Sequence, residues 1–367
     1  MRGRAVVALR RQQRAPASNQ DVTTLSSGNR TASMMALKFR GCLLGALVGD
    51  CLGRPFQDET DAPTPQHVRR VEAFFAKLSE RAFDSGSLPY TDDTAMTKTL
   101  ASSLIDKQRL DVRDLAEKFT EEFFDDPDRG YGFHASHVFE ELRKNPADVL
   151  APARDQFYGR GSYGYGAAMR AAPVALFFHA DTQRMMEAAR QSGLVTHAHP
   201  NGYNGAVLQC LAIQKALLSD PVGAPIDPPA FVRQLRDALQ PAEEEDGVAE
   251  AAPSSSSRPF FSALVLVEEL LLQDPPPTIA FVASILGNEW SAQHSVPTAI
   301  FAFLFTQKPI AEVHADNAFE RTLRYAIALG GNTDSIAHLV EPCELREHVA
   351  ELADRLLAAA HAEGVPA

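Results

Sequence analysis

Tyr90-Thr91-Asp92-Asp93-Thr94-Ala95-Met96 opens a stretch that runs on through Leu100 and Leu104. Met96, Leu100 and Leu104 recur every four residues, which places them on one face of an α-helix. Reading outward from this stretch, the pattern is mostly helical from Ala36 onward. Leu264, Leu266, Val267, Leu270 and Leu271 form a second apolar face, and Val349, Leu352, Leu356 and Leu357 form a third near the C-terminus. No strand-type alternation lasts longer than a few residues. The expected fold is all-α: one compact helical domain over 37–362.

The turn before the helix carries the chemistry. Thr91, Asp92, Asp93 and Thr94 crowd hydroxyls and carboxylates at a helix start, and Gly330-Gly331-Asn332-Thr333-Asp334-Ser335 repeats the Thr-Asp core far downstream. Either cluster alone reads as a helix cap, because acidic residues such as Asp92 and Asp93 satisfy the free N–H groups and the macrodipole of a first turn. Together they suggest a site. Hard cations such as magnesium take oxygen ligands from a few carboxylates, waters and substrate, and folding could bring the two clusters to one point. The double glycine allows a sharp turn that a cap does not need.

Composition narrows the function class. A formal net charge of -12 argues against general nucleic-acid binding, which rests on Lys and Arg neutralising phosphates. No apolar run reaches the roughly 18 residues of a membrane span. Cys42, Cys51, Cys210 and Cys343 form no CxxC pair, so a reducing intracellular compartment is expected rather than a zinc knuckle or disulfide framework. Residues 1–36 carry Arg2, Arg4, Arg10, Arg11 and Arg14 before the first acid, Asp21, and read equally as a mitochondrial presequence or a disordered basic tail. The run 240–259 is acidic and then Ser-rich, with no packing face, and reads as a flexible insertion. The Pro-rich stretch 220–229 reads as a loop.

Other motifs are weaker. Gly159, Gly161 and Gly164 make a formal GxGxxG, with Asp181 near the acidic spacing, but the residues before it are not strand-like, so a dinucleotide fold is rejected. The loop itself, with Ser162 and Tyr163, could still cradle a phosphate through its N–H groups. Thr196-His197-Ala198-His199 lacks further ligands for zinc, and its histidines are expected to stack or hydrogen-bond. Ser295-Val296-Pro297 reads as a helix entry with proline in the first turn.

In order, the chain carries FRGCLLGALVGDCLG (39–53), YTDDTAM (90–96), DPDRGYG (126–132), GSYG (161–164), AMR (168–170), THA (196–198), GYNGA (202–206), SVPTAI (295–300) and LGG with TD (329–334). This series resembles the ADP-ribosylhydrolase family, and within it the type-three branch. The resemblance implies an all-α fold around a binuclear metal cleft holding two Mg2+ ions. It implies hydrolysis of serine-ADP-ribose, poly(ADP-ribose) and O-acetyl-ADP-ribose. By resemblance, Thr91, Asp92, Asp93, Asn332, Asp334 and Ser335 are the metal ligands. Gly130, Gly132, Phe157, Arg160, Gly161, Ser162, Tyr163, Gly164, Tyr165, Gly166 and His197 hold ADP-ribose. Gln57 takes the place of a flap glutamate, joining Asp92, Asp93 and Asp334 as the catalytic set. The expected partners are ADP-ribose-bearing small molecules, the polymer and serine-modified proteins, without direct nucleic-acid or membrane recognition. A monomer of cytoplasm and nucleus is expected, with the mitochondrial matrix added if the leader is a presequence.

Four departures from the family pattern stand out. Gln57 replaces the glutamate, although Asp58 and Glu59 lie beside it, and Asn332 replaces an aspartate. Five carboxylates against two dications become three, which predicts weaker binding of the second metal. Tyr165 stands where asparagine is usual, and its ring is expected to crowd or stack on the ligand. The Gly/Ala-rich helix that normally follows the metal loop is missing after Ala337. A binder without turnover is therefore the alternative to an active hydrolase.

Overall fold

The computed structural model describes residues 27–57, 63–79, 88–219, 225–249 and 258–337, with backbone alone at 27–33, 247–249, 334 and 335. Helices α1 (Ser27–Gly53), α2 (Pro65–Ser79), α3 (Asp92–Lys107), α4 (Val112–Asp125) and α5 (Phe133–Lys144) make the first half with α6 (Ala151–Gly159) and α7 (Ala172–Phe177). Then come α8 (Thr182–Leu194), α9 (Pro200–Leu218), α10 (Pro228–Ala249), α11 (Pro259–Leu271) and α12 (Ile279–Leu286). The last three are α13 (Ala292–Phe305), α14 (Ala318–Ala328) and the single turn α15 (Thr333–Ile336). Two isolated bridges are the only β-type pairing among the described residues. The all-α expectation holds, and no described helix is long and apolar enough to cross a membrane.

Two of the three apolar faces read from the sequence lie on described residues and are largely buried. Met96, Leu100 and Leu104 of α3 are at most 2% exposed, as are Leu264 and Val267 of α11. Burying each such side chain contributes roughly 1.5–3 kcal/mol relative to exposure. Leu266, counted on the α11 face, points outward instead. Helix α9 is central, packing against α7, α8, α10 and α13, while α1 packs against α3, α7 and α15. This arrangement carries α1 from the core to the starts of α3 and α15.

Three expectations change. Helix α1 begins at Ser27, inside the stretch read as a leader, and Met35 and Ala36 pack against the core. Residues 240–249 are not a loose insertion but the end of α10. Two acids there bury themselves on distant donors: Glu243 accepts from the N–H groups of Phe260 and Phe261 at 2.8 and 2.9 Å, and Asp246 from the Tyr203 hydroxyl at 2.7 Å and the Asn204 amide at 2.8 Å. Glu243 thus caps α11, whose first N–H groups have no intrahelical partner. Pro297 is not in the first turn of α13, which starts five residues earlier at Ala292. The basic leader before Ser27, Asp58, Glu59, 220–224, 250–257, Cys343 and the amphipathic stretch 349–357 lie outside the described residues, as does the chain after Ala337.

Candidate active site

The site starts from a buried acid one turn before the end of α1. Asp50 has no exposure, and its carboxylate accepts from Thr91 N–H at 2.9 and 3.0 Å, Thr94 N–H at 3.2 Å and the Thr94 hydroxyl at 2.6 Å. A buried carboxylate is tolerated only when its lone pairs are taken up in this way. Thr91 caps α3, its Oγ1 accepting from Asp93 N–H at 3.2 Å. The cap and the anchor are therefore Thr91 and Asp50, and the carboxylates of Asp92 and Asp93 are not the capping groups. Asp93 is buried and Asp92 half-buried.

Gly130 lies against Asp92. It has φ +99°, and a Cβ there would come within 3.6 Å of the Asp92 carboxylate. The adjoining Arg129 lies over the Tyr90 ring at 3.7 Å and donates to the Tyr90 carbonyl at 3.3 Å, which docks segment 126–132 on the acidic turn. Burial and the negative charges of Glu122 and Asp92 push the Tyr131 phenol far above its usual range, so it stays protonated, and its hydroxyl has no partner among the described residues. Gly132 is exposed at the start of α5.

The second cluster is tied to the same turn of α1. Gly331 has φ +65° and no room for a side chain, since a Cβ would fall 2.3 Å from the Asn288 carbonyl. That carbonyl accepts from Asn332 N–H at 3.0 Å, and the Asn288 amide donates to Leu329 at 2.8 Å. The Thr333 hydroxyl then donates to the Gly53 carbonyl at 2.8 Å. The Asn332 side chain caps nothing, and its Nδ2 is buried without a partner among the described residues. Asp334 and Ser335 lie in α15 with only their backbone described. Gln57 is half-buried, just past a 3-10 turn over Arg54–Phe56 that continues α1.

The described residues contain no group of three or more His, Cys, Asp or Glu placed to hold a metal. Two carboxylates and a threonine hydroxyl on one turn still match a hard dication, because magnesium commonly takes one or two carboxylates and completes its shell with waters and substrate. The unpartnered Asn332 amide fits the same purpose: turned over, it presents Oδ1 in place of Nδ2.

The glycine loop follows α6 rather than a strand, and Asp181 is the N-cap of α8, as the rejection of a dinucleotide fold requires. Phe157, Tyr158, Gly159 and Gly161 have φ of +50°, +61°, +83° and +75°. Left-handed backbone at two non-glycine residues is costly and held only by surrounding structure. This path lays the loop on the start of α9. A Cβ on Gly161 would meet His199 N at 2.5 Å, and one on Gly202 would meet the Ser162 carbonyl at 2.5 Å. The far edge pairs with the start of α13, through Tyr165 N–H to the Trp290 carbonyl at 3.0 Å and Ala292 N–H to the Tyr163 carbonyl at 3.1 Å.

Part of the loop's backbone is already bonded within the protein. The N–H groups of Arg160, Gly161, Gly164 and Tyr165 bond Phe157 O, Gln156 O, Ser162 Oγ and Trp290 O, so an amide cradle is confined to Ser162, Tyr163 and Gly166. Tyr165 is half-buried and packs in part against the hydrophobic core. Arg160 is exposed, its Nε reaching Phe157 O at 3.5 Å.

Rings line the loop. Phe157 lies 4.3 Å from His134, and Tyr163 lies 4.9 Å from Trp290 and 5.8 Å from His199. A cavity of about 320 Å³ opens there, lined by Tyr163, His199, Asn201, Trp290, Gln293 and His294 among others. His199 caps α9 at 3.0 Å, and His197 bonds Thr196 at 2.7 Å, so both histidines hydrogen-bond as expected. Burial, reinforced by Arg170, holds the His197 imidazolium pKa down to about 3, so the ring is neutral. The sequence reading missed Asp50, His134, Arg170 and Trp290. A lone acid in an apolar run and the single tryptophan were the available signals.

Comparison with known proteins adds to this geometry. The family model described as ADP-ribosylglycohydrolase matches residues 32–341. The chain is 40% identical over 308 residues to ADP-ribosylhydrolase ARH3 of Homo sapiens, covering 82% of each chain. It is 38% identical over 308 residues to the protein of the same name from Xenopus tropicalis, covering 82% of this chain and 84% of that one. A solved structure titled ADP-ribosylglycohydrolase-related protein complex superposes with a TM-score of 0.54 at 16% identity, covering 89% of this chain and 99% of that one, which speaks to the fold alone.

Proposed function

Because this chain belongs to the ADP-ribosylglycohydrolase family, we propose that it releases ADP-ribose from O-glycosidic linkages in a magnesium-dependent reaction. It is a hydrolase of the glycosidase type. Its substrates in this reading are serine-ADP-ribose on proteins, poly(ADP-ribose) and O-acetyl-ADP-ribose. The observation that carries the reading is the tethering of both Thr-Asp turns to one turn of α1, through Asp50 and Gly53.

Thr91, Asp92, Asp93, Asn332, Asp334 and Ser335 would hold two dications, the second more weakly because Asn332 brings no charge. Bound there, a dication supplies Lewis acidity and a more acidic water at neutral pH. The chain's own residues do the rest. Asp93 is buried at the start of α3 and rigidly placed. Gly130 leaves the space beside Asp92 open for a sugar hydroxyl. Phe157 and Tyr163 offer ring faces to a base, and aromatic stacking on a base contributes about 1–3 kcal/mol. His197, neutral and fixed by Thr196, offers one nitrogen to the ligand. Gln57 cannot take a proton as a base, so water activation falls to the acidic turns.

The same reading makes the protein a monomer of cytoplasm and nucleus, where thiols such as Cys42, Cys51 and Cys210 stay reduced. A second reading, ADP-ribose binding without turnover, is favoured by Gln57 and Asn332. Single-turnover assays on a serine-ADP-ribosylated peptide separate the two: Asp334→Asn and Asp93→Asn abolish release in the first reading, and the unmodified chain shows none in the second.

A further inference from the structure

Arg170 is an unusual residue to find in a core. It is 1% exposed and has no carboxylate bonded to it among the described residues. Its guanidinium lies 4.9 Å from the Phe119 ring centre and donates to Gly166 O at 2.5 Å, Ser192 O at 3.1 Å and Thr196 Oγ1 at 2.7 Å. The Thr196 oxygen is also 2.7 Å from His197 Nδ1.

Proton counting favours one direction for this chain. Arginine only donates, so Thr196 Oγ1 is the acceptor of the Arg170 bond. Thr196 Oγ1 keeps a second lone pair that could take an Nδ1–H, but its own hydrogen has no acceptor other than His197 Nδ1 among the described residues, so the arrangement that uses this hydrogen has His197 Nδ1 presenting a lone pair. A neutral imidazole with Nδ1 as acceptor carries its proton on Nε2. That nitrogen faces the glycine loop: a Cβ on Gly164 would lie 3.4 Å from it and a Cβ on Gly166 2.9 Å. Arg170 also holds the Gly166 carbonyl, so one guanidinium sets both the loop and the ring beneath it.

We propose that Arg170 is a positioning residue which, through Thr196, locks His197 as an Nε2–H donor aimed at the Gly164–Gly166 face, where it selects an anionic phosphate oxygen of the ligand. The ligand half of this inference rests on the ADP-ribose reading above; the proton relay does not. A purely structural Arg170 would stabilise the loop and leave the histidine tautomer to chance.

The test uses the full chain labelled with 15N-histidine, with the His197 signals identified by their loss in His197→Gln. Long-range 15N–1H correlation is expected to show an unprotonated Nδ1 and a protonated Nε2. Thr196→Val, which keeps the shape and removes the hydroxyl, is expected to mix the two tautomers and weaken ADP-ribose binding about tenfold by calorimetry, and Thr196→Ser to restore both. Arg170→Met is expected to give the same mixed spectrum, and the Thr196 pair decides the matter should that variant not fold. A wild-type ring protonated on Nδ1, or a Thr196→Val spectrum identical to wild type, overturns the relay. A wild-type protein without affinity for ADP-ribose refutes the functional reading and the ligand half, while the spectrum still decides the relay.

Discussion

The Thr333 hydroxyl donates to the Gly53 carbonyl at 2.8 Å, joining positions 280 residues apart. One turn earlier on α1, Asp50 holds the backbone of Thr91 and Thr94. The last turn of α1 therefore sets the distance between the two acidic turns without lending either a ligand. The rate of the reaction should be sensitive to residues that never touch substrate.

Asp50→Asn removes the charge from the α3 anchor and puts an amide N–H among donors. We expect a loss of about 2–4 kcal/mol, the range for breaking a buried charged hydrogen-bond set, and a loss of turnover larger than stability explains. Urea unfolding and peptide hydrolysis on the same preparation check this. A variant with full stability and full turnover contradicts the anchor. Thr333→Val should stay within about 1.5 kcal/mol of wild type and show weaker Mg2+ activation.

Gly166→Ala places a methyl 2.6 Å from His197 Cε1. The ring or the loop must shift, so ADP-ribose affinity should fall at least tenfold with the helical fold retained. Trp290, the single tryptophan, sits 4.9 Å from Tyr163 and makes its fluorescence a direct reporter of ligand titration. An unchanged titration curve contradicts the placement of the ligand on this loop.

His197 gives the protein a defined acid response. Its pKa is held down to about 3 by burial and by Arg170, against an ordinary value of about 6.5. Between these values the unfolded chain binds a proton that the folded chain refuses. Its contribution to stability is thus complete above pH 6.5 and is lost as pH falls towards 3, by at most about 1.4 kcal/mol per pH unit. Between pH 7.5 and pH 5 the wild type should lose about 1–2 kcal/mol more unfolding free energy than His197→Gln. Equal losses in the two proteins contradict a buried neutral ring.

Asn332→Asp adds a carboxylate to a turn already anchored through Thr333. Divalent binding should tighten by about tenfold, in line with effects at metal sites, and Mg2+ activation should shift to lower concentration. Calorimetry with Mg2+ alone measures it, and an unaltered isotherm removes Asn332 from the site.

Much of this was legible in the sequence because helical periodicity and turn chemistry are local. The α3 face, the glycine loop and both acidic turns follow from neighbours a few residues apart, although the cap of α3 proves to be Thr91 and not the carboxylates read as caps. What escaped depends on distant partners. Asp50 reads as one acid in FRGCLLGALVGDCLG, and nothing nearby reveals that it binds a turn some 40 residues on. Residues 240–249 look unfit for a core because of their acids, yet Glu243 and Asp246 are buried by donors on α11 and α9. The glycine loop is likewise pinned by a distant partner, since Tyr165 N–H bonds the Trp290 carbonyl before α13.

The most direct test of the central claim is release of ADP-ribose from a serine-ADP-ribosylated peptide by the full chain, with Mg2+ and with the metal chelated. The account predicts release that requires Mg2+ and disappears in Asp93→Asn. Tight binding of ADP-ribose with no release at any Mg2+ concentration would contradict it, and would leave a protein that keeps the pocket without the chemistry.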